Sequence, residues 1–535
     1  MIQSSQVNAP IEALGLTPVP AHGALASDQV EFESLGCVLV LGDDERAGPV
    51  AQRVGRHQPV VVFAPGVDKQ AWGARVTAIG RKVTHLRGYL GAFHAEIRLG
   101  DDVTDVGAAS PNPGRTFDLV LDLCQRPLIT SEVKPLGYFA LNADDKALDS
   151  IEVTLKALTG RFAKPRYFSY DAEMCAHGVS GVAGCQQCVS VCSADALHST
   201  GQLIQIDPHL CQGCASCTLA CPTGALTFKP MERASVDQRL QQLLSQTPAD
   251  PIVVVHQGAL DEPAHTALAE ANAVALEVDP LPAFGDELWL RALAHGARAL
   301  VLVDDAALPR RTRELLARKV AQMRTVLLAL GDNPERVQFQ PDNTLALWLT
   351  TDSKLIKPIA QRAPVAELAS WSRFKRLAWI DSLRQFAAES QGIAQVLPAA
   401  ATIGAVTVNR STCTLCFACV NLCPTRALKD RHDTQPQLVF QESACVQCGL
   451  CVAGCPEKAL SLSPRVAIRA LTQMSSVVIH EDAFVKCTSC GTPFISKKML
   501  ESGLKMLQGN PSFDEGTRAT LMTCPSCRQK EMLAM

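Results

Sequence analysis

The 535-residue sequence predicts a multidomain protein of mixed α/β plus α+β class, and three observations carry that prediction. Two stretches, 31–150 and 250–345, alternate short apolar runs with helix-compatible segments, the pattern of small α/β domains. Twenty of the 22 cysteines fall into three groups, two of which repeat one spacing. The third group, near the C-terminus, is a pair of C-x-x-C knuckles. A disulfide scaffold does not fit, because disulfide-dense domains are small and secreted. Grouped C-x-x-C spacings in a large chain read as metal sites.

Charge and hydropathy remove several function classes. A net charge of −3 gives no electrostatic footprint for nucleic acid or an anionic membrane. No uninterrupted apolar run approaches the ~20 residues of a membrane span. The first thirty residues lack the basic start and apolar core of a signal peptide. A cytoplasmic protein without a transmembrane segment and without a nucleic-acid partner is expected, with 1–30 as a flexible N-terminal segment.

In the first α/β domain, strands are expected at 37–41, 60–63, 94–99 and 119–123. Gly42-Asp43-Asp44 follows the first strand, where a phosphate loop could sit, yet no G-x-G-x-x-G occurs there or elsewhere. A docking or scaffold domain is the reading. Cys37 opens the apolar run 37–41 and Cys124 ends the run 119–124, and both read as core cysteines.

The run C-x2-C-x2-C-x3-C followed by proline appears three times. It comprises Cys211, Cys214, Cys217, Cys221 and Pro222; Cys413, Cys416, Cys419, Cys423 and Pro424; and Cys445, Cys448, Cys451, Cys455 and Pro456. Each copy continues with Ala–Leu at a fixed offset: 225–226, 427–428 and 459–460. Three thiolates on one tight loop can reach different irons of a cubane, while the fourth points towards a neighbouring cluster. A fourth copy is degenerate: Cys185, Cys188 and Cys192 keep the last two intervals, and Ser193 replaces the proline. Val182 holds the place of its first cysteine, so Cys175 is the candidate. The insertion between Cys175 and Cys185 contains Gly178, Gly181 and Gly184 and could fold back as a loop. Without Cys175 the site would be a three-iron cluster or take another ligand. Nearby His177 and His198 read as solvated or hydrogen-bonded residues.

These modules, about 165–230 and 404–465, resemble two-cluster bacterial ferredoxins. In that family the fourth cysteine of one run ligates the cluster held by the other run. The resemblance implies two ferredoxin-like 2[4Fe–4S] modules and four [4Fe–4S] clusters. The first cluster would use Cys175, Cys185, Cys188 and Cys221, and the second Cys211, Cys214, Cys217 and Cys192. The third would use Cys413, Cys416, Cys419 and Cys455, and the fourth Cys445, Cys448, Cys451 and Cys423.

Between the modules, strands are expected at 252–255, 273–278, 299–303 and 325–330, with helices at 262–270, 285–295 and 308–322. The stretch 284–303 resembles the small iron–sulfur subunit of methanogen hydrogenase–heterodisulfide reductase complexes. That subunit binds a two-iron cluster through cysteines of this domain. Here the span from 222 to 412 has no cysteine, so the fold carries over and the cluster does not. The use implied is docking in an electron-transfer assembly. A helical connector is expected at 353–396, with an apolar stripe of Trp371, Phe374, Leu377, Trp379, Ile380, Leu383 and Phe386.

In the C-terminal segment, 480–535, Cys487 with Cys490 and Cys524 with Cys527 form two zinc-ribbon-like knuckles around a helix-like stretch, 497–507. Two knuckles suit one tetrahedral metal. One structural Zn2+ is the expectation, with a rubredoxin-like iron as the alternative. No βαβ pattern supports a thioredoxin-like motif.

The layout also resembles proteobacterial proteins with two ferredoxin modules encoded near molybdenum or tungsten formate dehydrogenases. That resemblance implies a redox partner in formate oxidation, the chain serving as electron acceptor or as maturation factor. No flavin, nicotinamide, molybdopterin or nucleotide motif points to a substrate-converting enzyme, and no basic region points to a DNA-binding regulator. Electron relay is the leading reading, with a maturation or scaffold role as the alternative.

Overall fold

The computed structural model describes residues 11–19, 28–141, 145–179, 181–248, 250–357, 375–386, 393–508, 510 and 513–534. Most of the expected flexible segment 1–30 lies outside these residues, as do Trp371 and Phe374 of the connector stripe.

The apolar runs Val38–Leu41, Val60–Phe63 and Leu119–Asp122 are buried along their whole length. Burial on both faces is what a parallel sheet requires. They join Val76–Ile79 and Tyr138–Ala140 in a five-stranded parallel sheet, with Val38–Leu41 in the middle. One face packs on helices Ala47–Val54 and Asp145–Ala157 and on strand Gln29–Ser34. The expected strand His94–Leu99 is present but lies outside this sheet. It pairs antiparallel with Val83–Arg87 and Asp102–Asp105. Only Ala95 and Ile97 of this strand are buried, so it covers the other face of the parallel sheet and faces solvent itself. Cys37 and Cys124 are buried there, and burial pushes the Cys37 thiol up to about 12. Beyond the strand ends, Asp43 accepts from Lys82 and from the Gln125 N–H (2.7 Å), and Asp122 accepts from Tyr138 Oη (2.5 Å). Carboxylates thus stand beside Gly42, at the strand ends.

The second α/β domain is a four-stranded parallel sheet in the order Ala273–Glu277, Ile252–His256, Ala299–Asp304, Val337–Pro341. Helices Glu262–Glu270 and Asp286–Ala294 match the expectation. The expected strand at 325–330 is instead the end of a 21-residue helix, Arg310–Leu330, and Val337–Pro341 is the fourth strand. Met323, Val326, Leu327 and Leu330 are buried at helical spacing. A short apolar run does not by itself separate strand from buried helix. This helix and Asp286–Ala294 anchor a core that also takes in Leu219 and Ala220 of the first cysteine module, and Val466 and Leu471 beside the second.

The connector is helical only in part among the described residues. Lys375–Arg384 is a helix that buries Trp379, Ile380 and Leu383 in that same core, with Phe386 just beyond. Gln395–Val396, expected as helix, is a short strand paired with Leu460–Val466. The backbone gains a sheet partner there. No helix among the described residues is long and apolar enough to cross a membrane.

Candidate cluster sites

Each cysteine module is built from two antiparallel hairpin-like pairs. In the first, Phe168–Tyr170 pairs with Leu226–Phe228, and Leu197–Ser199 with Ile204–Ile206. In the second, Gly404–Val408 pairs with Leu460–Val466, and Leu428–Arg431 with Gln437–Phe440. The runs lie in the loops between these strands.

The three full runs share one backbone. The residues before and after the second cysteine are left-handed: Gly213 and Ala215, Leu415 and Phe417, Gln447 and Gly449. Non-glycine residues take this conformation at a cost of order 1–3 kcal/mol. Its recurrence at one place in three loops shows that the loop shape is required. Such turns gather N–H groups into a concavity for negative charge. The N–H groups of Gly213, Leu415 and Gln447 donate to the first thiol of their runs. The third residue after the last cysteine is also left-handed in all four runs: Asp195, Gly224, Arg426 and Lys458. In three runs the next N–H donates to the last sulfur: Ala196 to Cys192 (3.2 Å), Ala427 to Cys423 (3.2 Å) and Ala459 to Cys455 (3.3 Å). The Ala–Leu tail therefore marks a sulfur-binding turn, and the degenerate run keeps it.

The thiols that act on each buried cysteine come from both runs of its module. Burial, then Cys221, Cys185 and Cys175, push Cys188 up to about 12. Burial, then Cys214, Cys211 and Cys192, push Cys217 well above the ordinary thiol value. Burial, then Cys413, Cys416 and Cys455, push Cys419 up to about 12. Burial, then Cys448, Cys445 and Cys423, raise Cys451. A cavity lined by Cys413, Cys416, Cys419 and Cys455, closed by Leu438 and Leu460, shows the crossed set directly. Four buried thiolates cannot ionise together without cations. The donor set, the N–H concavities and the apolar walls fit an iron–sulfur cluster.

A short hairpin lies between Cys175 and Cys185. Gly178–Val179 pairs with Val182–Ala183, and the Cys185 N–H donates to Ala176 O (3.0 Å). Burial raises the Cys175 thiol, while hydrogen bonds from the Tyr170 hydroxyl and the His177 N–H oppose it. His177 is buried with Nδ1 2.8 Å from Cys185 O and Nε2 2.7 Å from Ser199 Oγ, so both ring nitrogens are engaged within the fold. His198 is exposed.

Cations flank all four sets, and the spacing of the cysteines gives no sign of them. Lys164, fully buried, donates from Nζ to His209 O (2.7 Å) and Cys211 O (2.8 Å). Burial pushes this ammonium down to about 8 against Cys211 and Asp207. Arg311 donates to Cys192 O (2.6 Å). Lys375 donates to Leu219 O (2.9 Å) and acts on Cys221. Arg376 donates from Nη2 to Cys445 O (3.3 Å), and Lys498 acts on Cys413.

At the C-terminus, Cys487, Cys490, Cys524 and Cys527 come together with their sulfurs all within 4.8 Å of one another. The first knuckle sits in the turn between Phe484–Lys486 and Pro493–Ser496, and Lys497–Leu507 is the expected helix. Burial raises Cys487, but the N–H groups of Cys490, Cys524 and Ser489 draw it down to about 6. Ser496 Oγ donates to Thr414 O (2.7 Å), tying this segment to the loop of Cys413 and Cys416.

Residues 412–460 match the 4Fe-4S dicluster domain, and residues 204–227 match the 4Fe-4S binding domain. The chain carries iron–sulfur domains of the ferredoxin type. No curated protein matches it.

Proposed function

We propose that the chain is an electron-transfer protein in which the sixteen module cysteines hold four [4Fe–4S] clusters. The observation that supports this reading is the cavity that Cys413, Cys416 and Cys419 share with Cys455 of the other run. The clusters, when bound, supply one-electron redox chemistry with little change of shape. The chain's own residues set the conditions for it. The left-handed loops aim N–H groups at the first thiols, and the buried ammonium and guanidinium groups offset negative charge. Such contacts set cluster potentials. Cys175 completes the first set from its hairpin. Cys487, Cys490, Cys524 and Cys527 hold one Zn2+ as a closed structural site, since four thiols at tetrahedral reach leave no open position.

The partner is another redox protein, and formate dehydrogenase is the one the layout favours. Anaerobic affinity capture from the native cell tests this. Recovery of a redox enzyme whose substrate bleaches the cluster absorbance supports the relay. Recovery of cofactor-insertion proteins alone, with clusters inert to substrate, replaces it with a maturation role.

A further inference from the structure

We propose that the two modules form one continuous electron path, joined where Gly184 of the first module meets Cys448 and Leu450 of the second. The path then runs from the Cys211/Cys214/Cys217/Cys192 set to the Cys175/Cys185/Cys188/Cys221 set. It crosses to Cys445/Cys448/Cys451/Cys423 and ends at Cys413/Cys416/Cys419/Cys455. The inference rests on the electron-transfer reading above.

At the junction the Gly184 backbone lies against the Leu450 side chain and the Cys448 carbonyl. Strand Val182–Ala183 packs on helix Leu450–Ala453. A methyl group added at Gly184 would lie 2.6 Å from Leu450 Cγ and 3.1 Å from Cys448 O. Glycine is required there by the close approach, since its φ is not left-handed. The Gly184 main chain, the Cys448 carbonyl and the Leu450 side chain meet at this contact, next in sequence to Cys185. Within each module the two runs also pack on each other, helix Gln187–Ser190 on Ser216–Ala220 and helix Ala418–Asn421 on Leu450–Ala453. The two remaining sets lie at the ends. The Cys211 loop is held by Lys164 and by the Tyr167 ring over Gly213, and the Cys413 loop by Ser496.

The junction is clamped by consecutive residues of one helix. Lys375 reaches Thr218 O (3.2 Å) and Leu219 O (2.9 Å) in the first module. Arg376 reaches Ser443 O (3.0 Å) and Cys445 O (3.3 Å) in the second. Gln187 Nε2 adds a bond to Ala400 O (3.2 Å). In each step across the junction one electron leaves a reduced cluster and enters an oxidised one. No bond or proton changes, and the electron enters from a one-electron donor such as dithionite or a partner redox protein.

The test is EPR of the full chain, anaerobic and cluster-loaded, during stepwise reduction with dithionite. In the unmodified protein, signals of each pair should broaden or split further when the other pair is reduced. In Gly184→Leu, that inter-module coupling should be lost while iron content and coupling within each pair persist. Four reducible clusters behaving as two independent pairs in the unmodified protein would overturn the path and leave the electron-transfer reading standing. Coupling unchanged in Gly184→Leu at full iron content would overturn the junction. Absence of reducible clusters would remove the reading beneath both. Should Gly184→Leu lose iron, the unmodified protein decides: coupling supports the path and its absence refutes it.

Discussion

Replacing Lys375 by methionine keeps the side-chain length and removes the charge. Its Nζ lies 3.2 Å from Asp286 Oδ1 and 3.5 Å from Glu287 Oε2, besides its bonds to Thr218 O and Leu219 O, and all of these groups are screened from water. Removing one member of a buried ionic network costs about 3–5 kcal/mol. Asp286 keeps Lys319 at 3.1 Å and Glu287 keeps Arg233 at 3.6 Å, which places the loss near the lower end, about 3 kcal/mol. With a urea dependence of about 3 kcal/mol per molar, the midpoint should fall by about 1 M. The assay is anaerobic urea unfolding followed by loss of cluster absorbance. The pH dependence follows from the signs. Burial alone would raise Asp286, but Lys319 and Lys375 hold it well below the usual carboxylate range. Its contribution is present above its ordinary value of about 3.9 and lost as pH falls through the depressed one. Burial opposes the Lys375 charge, but Glu287 and Asp286 raise it above its ordinary value, so its contribution is lost only as pH rises through that higher value. The difference between parent and variant should therefore be constant across neutral pH. An unchanged midpoint, or a difference that vanishes between about pH 6 and 9, would refute the network's role.

Cys175→Ala should leave the first set one ligand short and give a three-iron EPR signature in the oxidised protein; an unchanged spectrum would show that another group is the ligand. Lys164→Met should make the potential of the Cys211 set more negative by on the order of 100 mV, the Coulomb energy of a unit charge several ångströms away at an effective dielectric of about 20. An EPR-monitored redox titration reads that shift, and an unmoved potential would remove Lys164 from the tuning of the site. A strong chelator should release one zinc per chain and abolish the order of the 484–496 hairpin, measured by metal analysis and hydrogen exchange. Iron in place of zinc would make this site a further redox centre.

The cysteine runs were legible because ligand spacing is a local property of the chain: three thiols on one loop are fixed by sequence. The same holds for Val60–Phe63, a four-residue apolar run short enough for one buried strand, and for the amphipathic Lys497–Leu507. The misreadings have a common physical origin. The run at 325–330 is apolar at every position after Thr325, and only its packing shows it to be the end of a helix. His94–Leu99 reads as a strand, but nothing local says which sheet it joins. Lys164, Lys375 and Arg376 lie far in sequence from the thiols they serve, and a lone basic residue carries no sign of burial. Gly184 looked like one of three flexible loop glycines, whereas the contact with Leu450 and Cys448 explains it.

The most direct measurement of the central claim is an electron count on the purified anaerobic protein. Iron and sulfide analysis is combined with a stoichiometric dithionite titration followed by cluster absorbance and EPR. Four one-electron clusters predict about four electrons per chain, with one iron equivalent per inorganic sulfide. A chain that holds zinc at the ferredoxin cysteines, or accepts no electrons at full iron content, would contradict it.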